Sequence, residues 1–160
     1  MAVVDEELLN KISSLLKEKN LTIATAESCT GGLLANYLTN ISGSSEYFDR
    51  GIVSYSNLAK TQILDVSEDL LIKFGAVSKE VAESMAKNVR KKSFVDIGIA
   101  TTGIAGPTGG TNEKPIGLVY IGISTKEKTE VKKFVFTKNR LKNKEKICKA
   151  ALEMLYKIIY

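Results

Sequence analysis

Apolar side chains recur every three to four positions between Glu6 and Lys19 (Leu8, Leu9, Ile12, Leu15, Leu16) with charges between them. That period predicts an amphipathic first helix ending at Lys19-Asn20. The run Leu21 to Ala26 carries no charge, is half β-branched (Thr22, Ile23, Thr25), and predicts a buried strand. After a turn spanning Glu27 to Gly32, the helical period returns from Leu33 to near Asn40, with Leu33, Leu34, Tyr37 and Leu38 on the apolar side. Ile41 to Arg50 reads as a loop built on Gly43, Ser44 and Ser45. Gly51 to Tyr55 carries no charge and predicts a short strand at the centre of the sheet. Ser56 then caps a helix from Asn57 to Leu64 that carries Lys60.

A linker helix (Glu68 to Phe74) and Gly75 lead to Ser78, the cap of a helix over Lys79 to Lys92. Its apolar face is Val81, Ala82, Met85 and Val89, and its cations crowd the carboxyl end, where the dipole favours them. Val95 to Thr101 predicts a third strand with Asp96 at its start. Gly117 to Thr125 and Glu130 to Phe136 predict two more, joined by a hairpin turn at Lys126 to Thr129. A final helix from Leu141 to Ile159 buries Ile147, Ala151, Met154, Leu155 and Ile158. Early strand–helix alternation implies an α/β fold, a mostly parallel sheet covered on both faces, with the late hairpin adding antiparallel pairing. Ligands in such sheets sit beyond the carboxyl ends of the parallel strands. Three stretches leave those ends, Glu27 to Gly32, Tyr55 to Lys60 and Thr102 to Gly110, and are expected to converge on one pocket.

Composition narrows the picture. The 160 residues fit a single domain over 1–160, and two prolines argue against long disordered linkers. No apolar run approaches the length of a membrane span, so no membrane partner is expected. Met1 to Asn10 shows no basic start followed by an apolar stretch, hence no secretory signal. Cys29 and Cys148 stand too far apart in sequence to suggest a disulfide framework, and a cytoplasmic chain with reduced thiols is the expectation. The net charge of +5 comes mostly from lysines along the chain. No stretch interleaves aromatics with arginines, so a solvated basic surface is favoured over a nucleic-acid patch. Such a surface still helps attract an anionic small molecule.

The absence of histidine says more. It removes Ser-His-Asp and Cys-His chemistry and the usual catalytic zinc ligands. Any hydrolytic base must be Lys, Asp, Glu, Tyr or water held by them.

Within the expected pocket, Ser28 is either a nucleophile or a turn hydroxyl bonded to backbone. Lys60 is either a surface lysine or a desolvated amine competent to deprotonate a serine. Tyr55 is a half-buried core aromatic or a hydroxyl that orients substrate. Glu27 is either paired in the pocket or placed on the rim of its strand. The glycine-dense loop Thr102 to Gly110 can wrap a phosphate or ribose, or can be a bare turn; it lacks a Walker-type ending. Arg140 is a phosphate clamp or plain surface charge, and Cys29 reads as a small half-buried filler. The turn before Leu33, with Ser28, Thr30 and two glycines, suits an anion or an oxyanion, and equally a plain cap.

Assembled, these stretches resemble the CinA C-terminal-domain family, the stand-alone nicotinamide-nucleotide amidohydrolases. The resemblance lies in TAESCTGGL (Thr25 to Leu33), GSSEYFDRGIVSYSNLAK (Gly43 to Lys60), GAVS (Gly75 to Ser78), TGIAGPTGG (Thr102 to Gly110) and KPIGLVYIG (Lys114 to Gly122). It runs from about Leu8 into the last helix. It implies a three-layer α/β/α sandwich with a mixed, mostly parallel sheet of about five strands. It also implies hydrolysis of the carboxamide of nicotinamide mononucleotide to nicotinic acid mononucleotide and ammonia, a step of pyridine-nucleotide salvage needing no metal and no cofactor. A homo-oligomer is implied, as is a chain holding only the carboxyl-terminal module of longer members. Carried over by motif, Ser28 is the nucleophile, Lys60 its base or activating charge, and Tyr55 their neighbour in the catalytic group. Glu27, Thr30, Gly31 and Gly32 on one turn, Thr102, Gly103, Gly106 and Gly109 on the loop, and Arg140 then contact the nucleotide. A rival reading is a non-catalytic nucleotide-binding or regulatory module linked to competence or the DNA-damage response.

Overall fold

A computed structural model describes residues 4–160 of the chain; the first three positions of the Met1 to Asn10 stretch fall outside it. The described residues form six α-helices and five strands: α1 (Glu6–Glu18), β1 (Ile23–Glu27), α2 (Leu33–Thr39), β2 (Phe48–Val53), α3 (Asn57–Leu64), α4 (Glu68–Phe74), α5 (Lys79–Ser93), β3 (Ile97–Gly103), β4 (Leu118–Ser124), β5 (Thr129–Val135) and α6 (Arg140–Ile159). Helix starts follow local side-chain chemistry. Asp5, Ser56, Ser67, Ser78 and Asn139 each accept a backbone N–H of the first turn they precede. Among the described residues α2 alone lacks such a cap; a glycine with positive φ, Gly32, precedes it.

The strands form one mixed sheet in the order β2-β1-β3-β4-β5. β1 pairs in parallel with β2 and β3, and β3, β4 and β5 pair antiparallel. Alternation along the strands splits the core into two layers. Ile23, Ile97, Ile99, Val119 and Ile121 pack against α1, α2 and α6. Ala24, Ala26 and Ala100 face α3, α4 and α5. Small residues on this second face let α5 lie close to the sheet. At Gly98 any Cβ would collide with the carbonyl of Ala86, and at Gly122 it would lie 2.8 Å from that of Ala82. This is a three-layer α/β/α sandwich.

Two expectations change. The second strand begins earlier, at Phe48, inside the stretch read as a loop, which also holds a 3₁₀ turn at Ser44–Glu46. It lies at the edge of the sheet and not at its centre, with Asp49, Arg50 and Val53 exposed. Lack of charge in Gly51 to Tyr55 misled because the strand starts before that stretch, and its charged residues, Asp49 and Arg50, lie in the part read as a loop. In addition, Arg140 does not precede the last helix but is its first residue.

Candidate active site

The parallel strands β1, β2 and β3 end on the same side of the sheet. The chain leaves β1 towards α2 on one face and leaves β2 towards α3 on the other, which opens a crevice at the carboxyl end of β1. There Ser28 is fixed by its own backbone: its N–H donates to Thr101 O at 3.0 Å and extends the β1–β3 ladder. Lys60 comes from the opposite side. It sits in the first turn of α3, and helical side chains lean towards the amino end. Its ammonium is thereby carried back to the end of β2. Lys60 Nζ lies 3.0 Å from Ser28 Oγ, 3.1 Å from Ser54 O and 3.2 Å from Tyr55 O.

Lys60 is 1% exposed and makes no ion pair among the described residues. Burial away from water holds its amine below the ordinary lysine range. Cys29 itself is a buried thiol whose pKa is pushed up to about 12, chiefly by desolvation. It is therefore a thiol and not a thiolate at neutral pH.

A cavity of about 260 Å³ opens over this pair. Tyr55, Thr102, Gly103, Gly106, Gly109 and Arg140 line it together with Ser28, Cys29 and Lys60. The three stretches expected to meet do meet here. Arg140 bridges two walls: Nη1 donates to Gly106 O and Nη2 to the Tyr55 hydroxyl, both at 2.8 Å. A wider groove of about 630 Å³ between α1 and α6, lined by Leu15, Tyr156 and Tyr160 among others, has no hydroxyl bonded to a base. Chemistry, not size, picks the smaller cavity.

Four residues expected against the nucleotide are not on the cavity wall. Glu27 is fully buried beneath it. Its Oε1 accepts Leu34 N at 2.8 Å and Thr30 Oγ1 at 2.6 Å, and its Oε2 accepts Ala35 N at 3.0 Å. The carboxylate is the missing cap of α2, and it fills the anion position that the turn geometry advertises. Thr30 is buried between Glu27 and the Thr101 hydroxyl, the latter at 2.7 Å. Gly31 and Gly32 adopt positive φ to make the turn and do not line the cavity. Tyr55 lies past the end of β2 and is 59% exposed at the cavity mouth, not a half-buried core aromatic.

The sequence reading passed over Asn143. Its side chain is fully buried, donates Nδ2 to Ala105 O at 3.0 Å and accepts Lys138 N at 3.0 Å, tying the glycine loop to α6. An asparagine at helical spacing from Arg140 and Ile147, on the inward side, was the available signal. No group of three His, Cys, Asp or Glu among the described residues is arranged to hold a metal ion. No helix among them is long and apolar enough to cross a membrane.

A mixed α/β sandwich with a buried serine–lysine pair at the carboxyl ends of its parallel strands is the class that fold and site define. Residues 5–159 match the CinA C-terminal domain, and the chain belongs to that family. It is 50% identical over 162 residues to a CinA-like protein of Chloroherpeton thalassium, covering 99% of this chain and 39% of that one. A protein of Caldicellulosiruptor saccharolyticus that carries a competence-damage inducible name is 51% identical over 157 residues, covering 98% of this chain and 38% of the relative. The chain thus spans under two-fifths of the length of these curated relatives. A crystal structure of a competence/damage inducible protein from Agrobacterium tumefaciens superposes with a TM-score of 0.92 at 36% identity, covering 99% of both chains. One from Enterobacter asburiae gives 0.93 at 34% identity, covering 96% of this chain and 97% of the other.

Proposed function

We infer that this chain hydrolyses the carboxamide of nicotinamide mononucleotide to nicotinic acid mononucleotide and ammonia. The observation that carries the reading is the 3.0 Å contact between Ser28 Oγ and a lysine amine that is 1% exposed. In its neutral form Lys60 gives two N–H bonds to the carbonyls of Ser54 and Tyr55, which leaves its lone pair for the Ser28 hydroxyl. The Ser28 proton passes to Lys60 as Oγ attacks the carboxamide carbon. Lys60 then protonates the departing nitrogen, the C–N bond breaks, and ammonia leaves an ester on Ser28. Water deprotonated by the again neutral Lys60 hydrolyses that ester, freeing the acid and restoring the hydroxyl.

The phosphate belongs with Arg140. Two of its five N–H groups hold Gly106 and Tyr55, and three remain for an anion. The first turn of α2 does not compete, since Glu27 already takes Leu34 N and Ala35 N. The cavity, about 260 Å³, falls just short of the ~300–1,000 Å³ common for small-molecule sites. A nucleotide therefore reaches out to the mouth, where Tyr55 and Arg140 stand.

The test is ammonia release from the mononucleotide by the purified chain. Ser28→Ala and Lys60→Met are each expected to lower the rate by about 10²–10⁴-fold with the fold retained. An undiminished rate in both overturns the mechanism. Stabilisation by the mononucleotide, about 2.7 kcal/mol at a hundredfold excess over Kd, with no ammonia formed replaces the amidase with the binding-module reading.

A further inference from the structure

The net charge of +5 is not shared along the chain. Residues 130–146 hold seven basic and two acidic side chains and so carry all of it, while the remaining residues sum to zero. The fold brings the stretch from Lys132 to Lys144 to the end of the sheet where Ser28 lies, while Glu130 stays at the β4–β5 turn. Lys133 stands opposite Tyr120, which stands opposite Thr102, so Lys132 and Lys133 are level with the carboxyl end of β3. Arg140 lines the cavity, and Lys144 Nζ lies 3.6 Å from where a Cβ on Gly31 would sit, beside the Ser28 turn. At the β4–β5 turn, by contrast, Lys126 and Lys128 pair with Asp96 and Glu130.

Helix electrostatics argue against this placement as a device for stability. The amino end of a helix favours acids and disfavours cations. α1, α4 and α5 obey, opening with Glu6 and Glu7, with Glu68 and Asp69, and with Glu80. α6 has no acid in its first turn and opens with Arg140 and Lys142. Lys142 pairs with Glu145, but Lys132, Lys133, Lys138, Arg140, Lys144 and Lys146 make no ion pair among the described residues. Of these, Lys132, Lys133, Lys138, Arg140 and Lys144 lie towards the Ser28 end of the sheet. Like charges without partners there repel one another, and an anion arriving at the cavity relieves that repulsion.

We propose that the basic residues between Lys132 and Lys144 form an electrostatic funnel that draws a phosphate-bearing carboxamide to the Ser28 cavity and selects it over the same molecule without its phosphate. The inference rests on the amidase reading of the site. Arg140 holds the phosphate once bound; the outer lysines act before contact, through the field they sum to. The nucleoside has lost the phosphate and keeps only the positive pyridinium, so the same field does not attract it.

The experiment measures kcat and KM for nucleotide and nucleoside between about 10 and 150 mM salt, over which the screening length shrinks from ~30 to ~8 Å. For the nucleotide kcat/KM falls on the order of tenfold with kcat held, whereas for the nucleoside it does not fall. In a second arm, Lys133→Glu/Lys138→Glu/Lys142→Glu lowers kcat/KM for the nucleotide alone, by a similar factor, and flattens its salt dependence. These positions are exposed, and the gain from an acid at the start of α6 offsets the loss of the Lys142–Glu145 pair, so the melting temperature should change little. If this variant fails to fold, the matching triple glutamine variant carries the same expectation with a smaller effect. Turnover that is indifferent to salt and to these lysines overturns the funnel and leaves the amidase standing. If no ammonia forms under any condition, the amidase reading falls. The funnel is then judged by whether nucleotide binding, read as thermal stabilisation, weakens with salt and in the variant; binding indifferent to both overturns it.

Discussion

The carboxylate of Glu27 accepts the backbone N–H of Leu34 at 2.8 Å, so the helix after the Ser28 turn is capped by the residue just before Ser28. One side chain thereby joins the end of β1 to the start of α2 and holds Ser28 between them. Glu27→Gln replaces one acceptor oxygen by an NH₂ group that faces a backbone donor or the Thr30 hydroxyl. A buried donor left without an acceptor costs about 1–3 kcal/mol, and here at least one is stranded. Urea denaturation should show a loss of at least ~1 kcal/mol, with the m-value unchanged. A loss near zero would mean that the turn does not need the cap.

The Lys60–Ser28 contact sets the pH dependence of turnover. Only the neutral amine can take the Ser28 proton, and burial lowers the pKa of Lys60. Activity should therefore climb with pH along a limb whose midpoint lies below the ~10.4 of a free lysine. Lys60→Arg keeps a cation without an available lone pair and should be inactive across the whole range. A pH–rate profile of kcat for the parent and this variant checks both statements, and a flat parent profile contradicts them.

How far the sequence reveals these features depends on the range of the interaction behind each. The caps Ser56 and Ser78 were readable because each bonds within three residues of itself. Ser28 and Lys60 could be paired on paper because both follow strands that had to end on one side of a parallel sheet, and because histidine was missing. The cap of α2 was not readable. Whether a glutamate at a strand end turns into a cavity or under a helix depends on the path of the seven residues after it. The same holds for β2, whose place at the edge is fixed by β1 pairing on its other side with β3. Asn143 was hidden by Lys142 and Lys144, which make the stretch look like a solvated face while it packs inward beneath Ala105.

Cys29 adjoins Ser28 and lines the same cavity, yet its thiol pKa, pushed up to about 12 by burial, leaves almost no thiolate at neutral pH. An iodoacetamide-type reagent at pH 7.5 should leave the native protein unlabelled at Cys29, and label it after denaturation. Cys29→Ala should retain ammonia release within a few-fold of the parent, the residual effect coming from a small gap in the wall. Peptide mass mapping and the ammonia assay read the two outcomes. Loss of all activity in Cys29→Ala would move the nucleophile from the hydroxyl to the thiol.

Asn143 fixes the glycine loop through Ala105 and the approach to α6 through Lys138. Asn143→Asp keeps the acceptor for Lys138 N and loses the donor to Ala105 O, placing a carboxylate against a carbonyl. The fully buried position makes this costly, and about 2–4 kcal/mol of stability should be lost. Because the neighbouring Gly106 carbonyl is one end of the Arg140 bridge, KM for the nucleotide should rise more than kcat falls. Steady-state kinetics at a temperature where the variant remains folded separate the two effects. Equal changes in both constants would mean that the loop serves the fold and not the ligand.

The stability of the protein should also report on Lys60, with a sign that follows from its lowered pKa. Between the folded value and the ~10.4 of the unfolded chain, the unfolded state binds the extra proton, so stability contributed at this site rises with pH across that window. Below the folded pKa the penalty for burying the ammonium is present in full; above the unfolded value it is gone. Lys60→Met removes the charge at every pH. Relative to the parent, the variant should thus be at its best near neutral pH, and its advantage should shrink or its deficit grow as pH approaches 10. Two bonds to the Ser54 and Tyr55 carbonyls are lost at all pH values and shift the whole curve without changing its slope. Chemical denaturation of both proteins at pH 7 and pH 10 gives the difference of differences. A variant–parent gap that stays constant between them would mean that Lys60 keeps its ordinary pKa, and that the contact with Ser28 is made by a charged amine unable to act as a base.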